Sequence, residues 1–466
     1  MWCYPNLYID KKVGGTGQGK ELCDLLVVCG EHILIFSDKN IAWPNGDIDV
    51  AWGRWFNRAV KKSVDQVRGA ARWINQHPTR IFLDRECRKP FTIPLPPTGS
   101  SKVHGIVVAR GAGAACRSVF GGGSGSLMVH PRPRSHDHLT PKGTNCAPFC
   151  IGDVNPQGDF VHVMDDATLD ILMSELDTIT DLTDYLDKKA TFIRSGSLVG
   201  AEGEEDLLAD YLTHVSAAGE HDFVQPDGRP WEAHEGVVYA GGIYAEMSSN
   251  HQYQRKKEAD SISYTWDRLI EAFTTHMIKG TTIVPDGGEF KLSEGELGVR
   301  YMALENRFHR RTLAQAIMGA IESIGSKPSF VRAMIPGVSA KRADTGFFFL
   351  LLAYPEHLDL PDGYEQYRAG RRKLLAAYAH GFMDKYRHLK RVIGIATEPP
   401  AAVTGRTVFS EDLHFFEPEI WTPELSAEAK RICSELAGVI AVDPNCGFGV
   451  LSSDLGSGEV RDCSAS

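Results

Sequence analysis

The sequence lacks any uninterrupted apolar run that approaches the roughly 20 residues of a membrane-spanning helix. Its longest apolar run, GFFFLLLAYP at Gly346–Pro355, has the length of a buried strand. The first residues, MWCYPNLYIDKKVGG, also lack the basic and apolar regions of a secretion signal. These absences predict a protein that has no membrane contact and stays in the cytoplasm.

The sequence has no disulfide framework and no excess of basic charge, since 60 acidic residues outnumber 50 lysines and arginines. Ten cysteines in 466 residues are too few for a disulfide framework, and Cys23 and Cys29 lie in or beside apolar strands. We therefore expect reduced, buried thiols. The net charge of −10 argues against a protein that coats nucleic acid with its whole surface, although it permits a local basic groove.

Hydrophobic patterning predicts an α/β protein. Residues Leu22–Lys39 have the pattern of strand, tight turn and strand, which predicts a β-hairpin. Residues 54–75 place apolar side chains three and four apart, as an amphipathic helix does. With further strands at Thr79–Asp84 and Val103–Arg110, the first region is predicted to be a mixed-sheet α/β domain.

Composition and periodicity divide the chain into five predicted segments. They are an α/β domain at 1–125, an irregular linker at 126–155, a mostly helical middle at 156–326, a C-terminal α/β region at 327–450 and a flexible tail at 451–466.

Charged residues border the two apolar strands of the predicted hairpin, in the stretch GKELCDLLVVCGEHILIFSDKN. Glu21 and Asp24 open the first strand, and Asp38 and Lys39 close the second. Cleavage of a phosphodiester with a divalent metal needs carboxylates that hold the ion and a cation that balances developing charge. Strand ends on one hairpin can bring such groups to the same site.

The order of Asp24, hairpin, Ser37 to Lys39 and a helix bearing Gln66 resembles the PD-(D/E)XK nuclease superfamily, especially its Mrr-like and nuclease-related branches. The resemblance covers residues 1–110. It implies a restriction-endonuclease-like domain, a Mg²⁺ or Mn²⁺ cofactor, a nucleic-acid substrate, DNA in preference, and a role in restriction or antiviral defence. The implied catalytic residues are Glu21, Asp24, Asp38, Lys39 and Gln66, of which Glu21, Asp24 and Asp38 would bind the metal.

Ser37 departs from the family pattern, because the superfamily has Glu or Asp two residues before the lysine. Three explanations are open: a β-bulge that turns Asp38 inward, metal binding by Glu21 and Asp24 with Ser37 as a weak ligand, or a domain that has lost cleavage. The first is slightly favoured, because bulges are common beside active sites. The third predicts a silent scaffold that binds nucleic acid, a protein partner or a second copy of itself.

Basic residues recur along the helix that follows the hairpin. They form a possible track for phosphates, since each contact would add salt-dependent affinity. The alternative is an ordinary solvated helix face. The residues of this predicted track are Arg54, Arg58, Lys61, Lys62, Arg68 and Arg72.

Other motifs give weaker signals. His136, His138, Cys146 and Cys150 are of ligand types that tetrahedral zinc accepts, but their spacing is uncommon and such residues in a loop are usually incidental. The runs ENRFHRRTL and QYRAGRRKL either extend a nucleic-acid track or are charged faces of exposed helices.

Overall fold

The computed structural model describes residues 2–10, 19–97, 99–139, 147–232, 235–282, 292–337, 342–355, 363–400, 410–437 and 449–451. The chain forms two compact units. The first contains residues 1–258 and 303–306, and the second contains residues 259–302 and 307–466. No helix of the described residues is long and apolar enough to cross a membrane.

The first unit contains two sheets and the helices that pack on them. Its strands are β1 (Trp2–Ile9), β2 (Lys20–Cys29), β3 (His32–Asn40), β4 (Ile81–Phe82), β5 (Lys102–Arg110), β6 (Met128–Arg134), β7 (Cys150–Asp153), β8 (Val161–Met164), β9 (Leu198–Ala201) and β10 (Val237–Tyr239). Its helices are α1 (Ile48–Phe56), α2 (Lys62–Gln76), α3 (Gly113–Phe120), α4 (Asp166–Glu175), α5 (Ile179–Ser195), α6 (Glu204–Thr213), α7 (Ile243–Ser249) and α8 (His251–Asp260), which ends within the second unit.

The predicted hairpin is confirmed. β2 and β3 pair antiparallel from Leu25–Phe36 to Cys29–His32, and Gly30 takes a φ of 59° at the first position of the two-residue turn. The hairpin lies inside a six-stranded sheet with the order β4-β1-β2-β3-β5-β8. Since β3 and β5 are parallel and β1 and β2 antiparallel, the sheet is mixed, as the α/β prediction requires.

The predicted helix over 54–75 is longer than expected. It begins at Ile48 because the Asp47 side chain accepts from the Asp49 N–H at 3.0 Å and caps the helix. A π-helical segment at Asn57–Lys61 joins α1 to α2. The apolar spacing predicts that Val60, Val64, Val67 and Ala71 pack on the hairpin. The three valines are buried, whereas Ala71 is half-buried and the neighbouring Ala70 is buried instead. Ala70 lies three residues after Val67 and four before Ile74, so it shares their buried face of α2.

The segment predicted as an irregular linker, 126–155, contributes two strands. β6 and β7 join β9 and β10 in a four-stranded sheet with the order β10-β9-β6-β7. Pro131 and Pro133 in β6 and the surrounding glycines indicate turns, but β6 and β7 are parallel partners whose register shifts between Val129 and Arg134. An irregular strand of this kind tolerates proline where a regular central strand would not.

The second unit is a five-stranded sheet with helices on both faces. Its strands are β11 (Ser329–Pro336), β12 (Thr345–Leu352), β13 (Arg391–Thr397), β14 (Asp412–Phe416) and β15 (Gly449–Leu451). Its helices are α9 (Tyr264–Ile278), α10 (Leu292–Ala303), α11 (Arg307–Ile324), α12 (Gly363–Lys385) and α13 (Pro423–Ala437). β12, α12 and β13 form a parallel strand–helix–strand crossover, as the predicted C-terminal α/β region requires.

The apolar run of β12 divides between two cores. Phe347 and Phe349 pack in the core that includes Trp266 of α9, whereas Phe348 and Leu350 pack with residues of α12. Alternation along the strand therefore buries both faces, which explains why the sequence reads as one continuous hydrophobic run. The predicted flexible tail lies outside the described residues, apart from Leu451.

Two glycines of the first unit test how tightly α2 packs on the sheet. A Cβ on Gly105 of β5 would lie 2.6 Å from a methyl carbon of Val67, while a Cβ on Gly69 of α2 meets nothing within 4 Å. We expect Gly105→Ala to destabilise the unit by about 1–3 kcal/mol through overpacking. Gly69→Ala should stabilise it by about 0.5–1 kcal/mol because alanine is the better helix former. Thermal unfolding of both variants checks this packing, and equal shifts would contradict it.

Candidate active site

A β-bulge in β2 shapes the candidate site. Leu7 of β1 pairs with Cys23 and Tyr8 pairs with Glu21, so Leu22 is an extra residue without a partner in β1. Residues three apart normally face opposite sides of a sheet, and the bulge instead brings Glu21 to the side of Asp24.

Asp24 ties the start of β2 to the end of β3. Its Oδ2 accepts the backbone N–H of Asp38 at 2.8 Å and lies 3.4 Å from the Nζ of Lys39. The register of the hairpin, continued by one residue, places Asp24 opposite Ser37 on the face that α2 covers. The structure thus places Asp24 and Lys39 together, on the same face of the sheet.

Glu21 and Asp24 form a carboxyl pair. The Asp24 carboxyl lies close enough to Glu21 for its charge to act on it. Burial raises the pKa of the Glu21 carboxyl, the charge of Asp24 raises it further, and the nearby Lys39 acts in the opposite direction. A carboxylate pair of this kind is relieved either by a proton or by a cation.

Ser37 and Gln66 meet beneath α2. The Ser37 hydroxyl donates to Oε1 of Gln66 at 3.1 Å, and Ser37 is fully buried. Gln66 is therefore held over the hairpin, where the resemblance predicts it. Ser37 faces the helix and the site, yet its hydroxyl is engaged by an amide and supplies no charge.

Asp38 does not join this group, so the structure departs from the favoured explanation of an inward-turned Asp38. β3 runs in unbroken parallel register with β5 from His32–Lys102 to Asn40–Arg110, without a bulge. The Asp38 carboxylate instead bonds to the Arg110 guanidinium, with Nε to Oδ1 at 3.1 Å and Nη2 to Oδ2 at 3.2 Å. Arg110 had a weak signal in the sequence, as the basic residue that closes the neighbouring predicted strand.

The predicted three-carboxylate metal set is consequently reduced to a pair. Across the described parts of the chain, no group of three or more His, Cys, Asp or Glu side chains is arranged to hold a metal ion. Glu21 and Asp24 are in contact, and Asp38 is bound by Arg110. Two carboxylates still suffice for Mg²⁺, which commonly uses one or two protein carboxylates and takes its other ligands from water and phosphate.

The predicted basic track is exposed but does not lie on one side of the helix. Lys62 is about 40° from Gln66 around the α2 axis, because four residues complete slightly more than one turn. Arg68 and Arg72 lie about 160° and 120° away from Gln66 by the same geometry. Lys61 is 3.8 Å from Asp65. Of these residues of α2, Lys62 is therefore placed best to approach a substrate at the carboxyl pair.

Arg54 and Arg58 of the predicted track precede α2, the first before the inserted π turn and the second within it. Both are exposed, Arg54 in α1 and Arg58 in the π-helical segment. The extra residue of a π turn shifts the angle between them and the residues of α2. A straight stripe from Arg54 to Arg72 is therefore not formed.

The candidate zinc ligands do not gather in the described structure. His138 is fully buried, its Nδ1 bonds to the Ser135 carbonyl at 3.0 Å, and its Nε2 accepts the Gly152 N–H at 3.0 Å. Both ring nitrogens are thereby used in holding the chain. His136 is exposed, and Cys146 lies outside the described residues.

Several arginines of the two basic runs in the second unit form ion pairs within it. Arg307 and Arg310 of α11 bond to Asp267 at 2.8 and 2.5 Å. Arg371 of α12 is fully buried, and its Nη2 lies 2.6 Å from Asp412. These contacts favour structural roles for the two runs over an extended nucleic-acid track.

Comparisons with models of protein families, with curated proteins and with solved structures found no match to this chain. A function for the chain therefore rests on the geometry and chemistry of its own residues.

The carboxyl pair gives a prediction about stability and pH. An acid whose pKa is raised on folding destabilises the folded state above that pKa, and this penalty disappears below the ordinary Glu value of 4.5. Glu21→Gln removes the repelling charge, so it should raise the melting temperature at neutral pH without divalent ions. The gain should shrink as the pH falls toward 4.5.

Asp38→Asn is the matched control, because Asp38 faces Arg110 rather than a second acid. It should leave the melting temperature at neutral pH unchanged or lower it. A Glu21→Gln protein that melts lower than wild type at neutral pH would contradict the repulsive pair.

Proposed function

We propose that this protein is a metal-dependent phosphodiesterase that cuts nucleic acid, with DNA as the favoured substrate. The observation that carries the proposal is the meeting of Glu21, Asp24 and Lys39 at one end of the hairpin, beside Gln66. This group has the composition that phosphodiester cleavage requires, namely two carboxylates, a cation and an amide. A role in restriction or antiviral defence stays a prediction that rests on the superfamily resemblance.

The carboxyl pair fits Mg²⁺ or Mn²⁺. Burial and the adjacent charge of Asp24 raise the pKa of Glu21, so the pair in its ionised form needs a positive partner. Oxygen ligands from Glu21 and Asp24 are of the type that these hard cations prefer. When bound, such an ion would polarise the phosphate and lower the pKa of a water molecule.

The protein's own residues would position and balance the charge around that ion. Lys39 lies beside Asp24 with a side chain about one-third exposed, so its ammonium can reach a phosphate oxygen or orient an attacking water. Gln66 has two amide N–H donors for the substrate while its Oε1 accepts from Ser37. Lys62, on the same flank of α2, can contact a neighbouring phosphate.

A second candidate function is a silent nuclease-like domain that acts as a nucleic-acid-binding or protein-interaction scaffold. Ser37 favours it, because a buried hydroxyl bonded to Gln66 replaces the acid of the superfamily motif. The Arg110 ion pair also removes Asp38 as a substitute. Under this candidate the purified protein cuts neither DNA nor RNA with Mg²⁺ or Mn²⁺, alone or with its natural partner.

Side-by-side cleavage assays separate the two candidates. We expect Mg²⁺- or Mn²⁺-dependent cleavage by wild type, and losses of about 100-fold or more in Glu21→Gln, Asp24→Asn and Lys39→Met. These substitutions preserve side-chain size, and asparagine keeps an oxygen that can accept the Asp38 N–H. Unfolding is therefore a poor explanation for lost activity, and thermal melting verifies this.

The matched control is again Asp38→Asn, which should retain most of the activity because its carboxylate is bound by Arg110. If Asp38→Asn abolishes cleavage while Glu21→Gln is tolerated, the assignment of the metal ligands is wrong. If wild type cuts no nucleic acid with either ion, the scaffold candidate replaces the nuclease.

A further inference from the structure

A basic hairpin tip lies next to the carboxyl pair, and the proposed function leaves its role open. The chain reverses direction after β4, so that Phe82 pairs with Pro90 and the Phe91 N–H donates to the Ile81 carbonyl. The residues between these pairs, Leu83–Lys89, are called here the hairpin tip. Arg85, Arg88 and Lys89 are all exposed on it. The tip also contains Asp84 and the exposed Glu86, so its formal net charge is +1 in a chain whose net charge is −10.

The tip is held in a defined conformation by hydrogen bonds to its own backbone. The Asp84 carboxylate accepts the N–H groups of Arg88 at 3.1 Å and of Lys89 at 2.5 Å. The Leu83 N–H donates to the Lys89 carbonyl at 2.8 Å and closes the tip. Because these bonds use main-chain atoms of Arg88 and Lys89, their cationic side chains are presented to solvent rather than used in folding.

The tip is also joined to the strand that carries the site. The Gly19 N–H donates to the Arg85 carbonyl at 2.6 Å, two residues before Glu21. A Cβ on Gly19 would lie 2.7 Å from the Cys87 sulfur, so the two segments are in direct contact. In the sheet, Tyr8 pairs with Glu21 on one side and with Phe82 on the other.

This pairing sets the distance between Phe82, at the base of the tip, and Glu21 of the carboxyl pair. Two strand spacings separate Phe82 from Glu21, which is about 10 Å. Successive phosphates of one DNA strand advance about 3.4 Å along the helix axis, so 10 Å corresponds to about three nucleotides. A strand whose phosphate lies at Glu21 and Asp24, and which runs toward Phe82, would reach the base of the tip within a few nucleotides.

We propose that the hairpin tip is a phosphate-contacting surface that positions the nucleic-acid backbone beside Glu21 and Asp24, with Arg88 and Lys89 as its contacts. The inference rests on the proposed function and adds to it a second point of contact besides Lys62 of α2. Its partner is the sugar-phosphate backbone, which is recognised by charge and position rather than by base sequence.

The test is the salt dependence of binding, measured without divalent ions so that no cleavage takes place. Fluorescence anisotropy of a short fluorescein-labelled DNA duplex is followed between about 50 and 200 mM salt. If both side chains contact phosphates, the Arg88→Ala, Lys89→Ala double variant should lower the slope of log K against log salt by about 1.8. The Arg132→Ala, Arg134→Ala double variant removes two exposed cations from β6 of the same unit, and it should keep the wild-type slope.

The outcomes distinguish this inference from the proposed function. A wild-type slope in the Arg88, Lys89 variant overturns the inference, while Mg²⁺-dependent cleavage by wild type leaves the proposed function standing. A lowered slope in a protein that cuts nothing supports the tip as a nucleic-acid contact and refutes the nuclease. Equal slope losses in both double variants, or no binding by wild type, overturn the inference as well.

Discussion

The Asp24 carboxylate is the interaction on which the candidate site depends. It accepts the backbone N–H of Asp38 and lies against the Lys39 ammonium, so it fixes the end of β3 to the start of β2. It also lies near Glu21, which the β2 bulge turns toward it. A single carboxylate thereby sets both the strand geometry and the charge balance of the site, and a bound cation would compete with Lys39 for it.

The acidic residues of the sequence motif lie on opposite faces of the sheet. On the face covered by α2, Glu21 and Asp24 approach each other near a lysine, and their repulsion leaves the pair in need of a proton or a metal. Asp38, one residue from Ser37, points away and is satisfied by Arg110. The Glu21–Asp24 pair therefore has unbalanced negative charge, whereas the charge of Asp38 is balanced by Arg110, although the three acids are close in sequence.

Much of the fold follows from the sequence, because strand and helix periodicities are local. The hairpin at 22–39, the helix bearing Gln66 and the crossover of the second unit were predictable from apolar spacing and turn residues. The strands within 126–155 were not, since glycine and proline indicate turns and the partners of β6 and β7 come from distant segments.

The site was predictable in its residues but not in their arrangement. Asp24, Lys39 and Gln66 follow from the order of strand, turn, strand and helix, and they lie where that order places them. Whether Glu21 or Asp38 joins Asp24 depends on which strand carries a bulge. The bulge in β2 is a shift of its pairing with β1, and such a shift is hard to recognise from the residues of β2 alone. The packing of Arg110 against Asp38 is likewise a contact between residues far apart in the chain.

Titration calorimetry of Mn²⁺ binding tests the central claim most directly, because it reports on the carboxyl pair without requiring a substrate. Wild type and Asp38→Asn should bind one Mn²⁺ with the same affinity, and Glu21→Gln and Asp24→Asn should each bind it at least about 10-fold more weakly, a cost of about 1.4 kcal/mol. Undiminished binding in Glu21→Gln, or a loss confined to Asp38→Asn, would contradict the account.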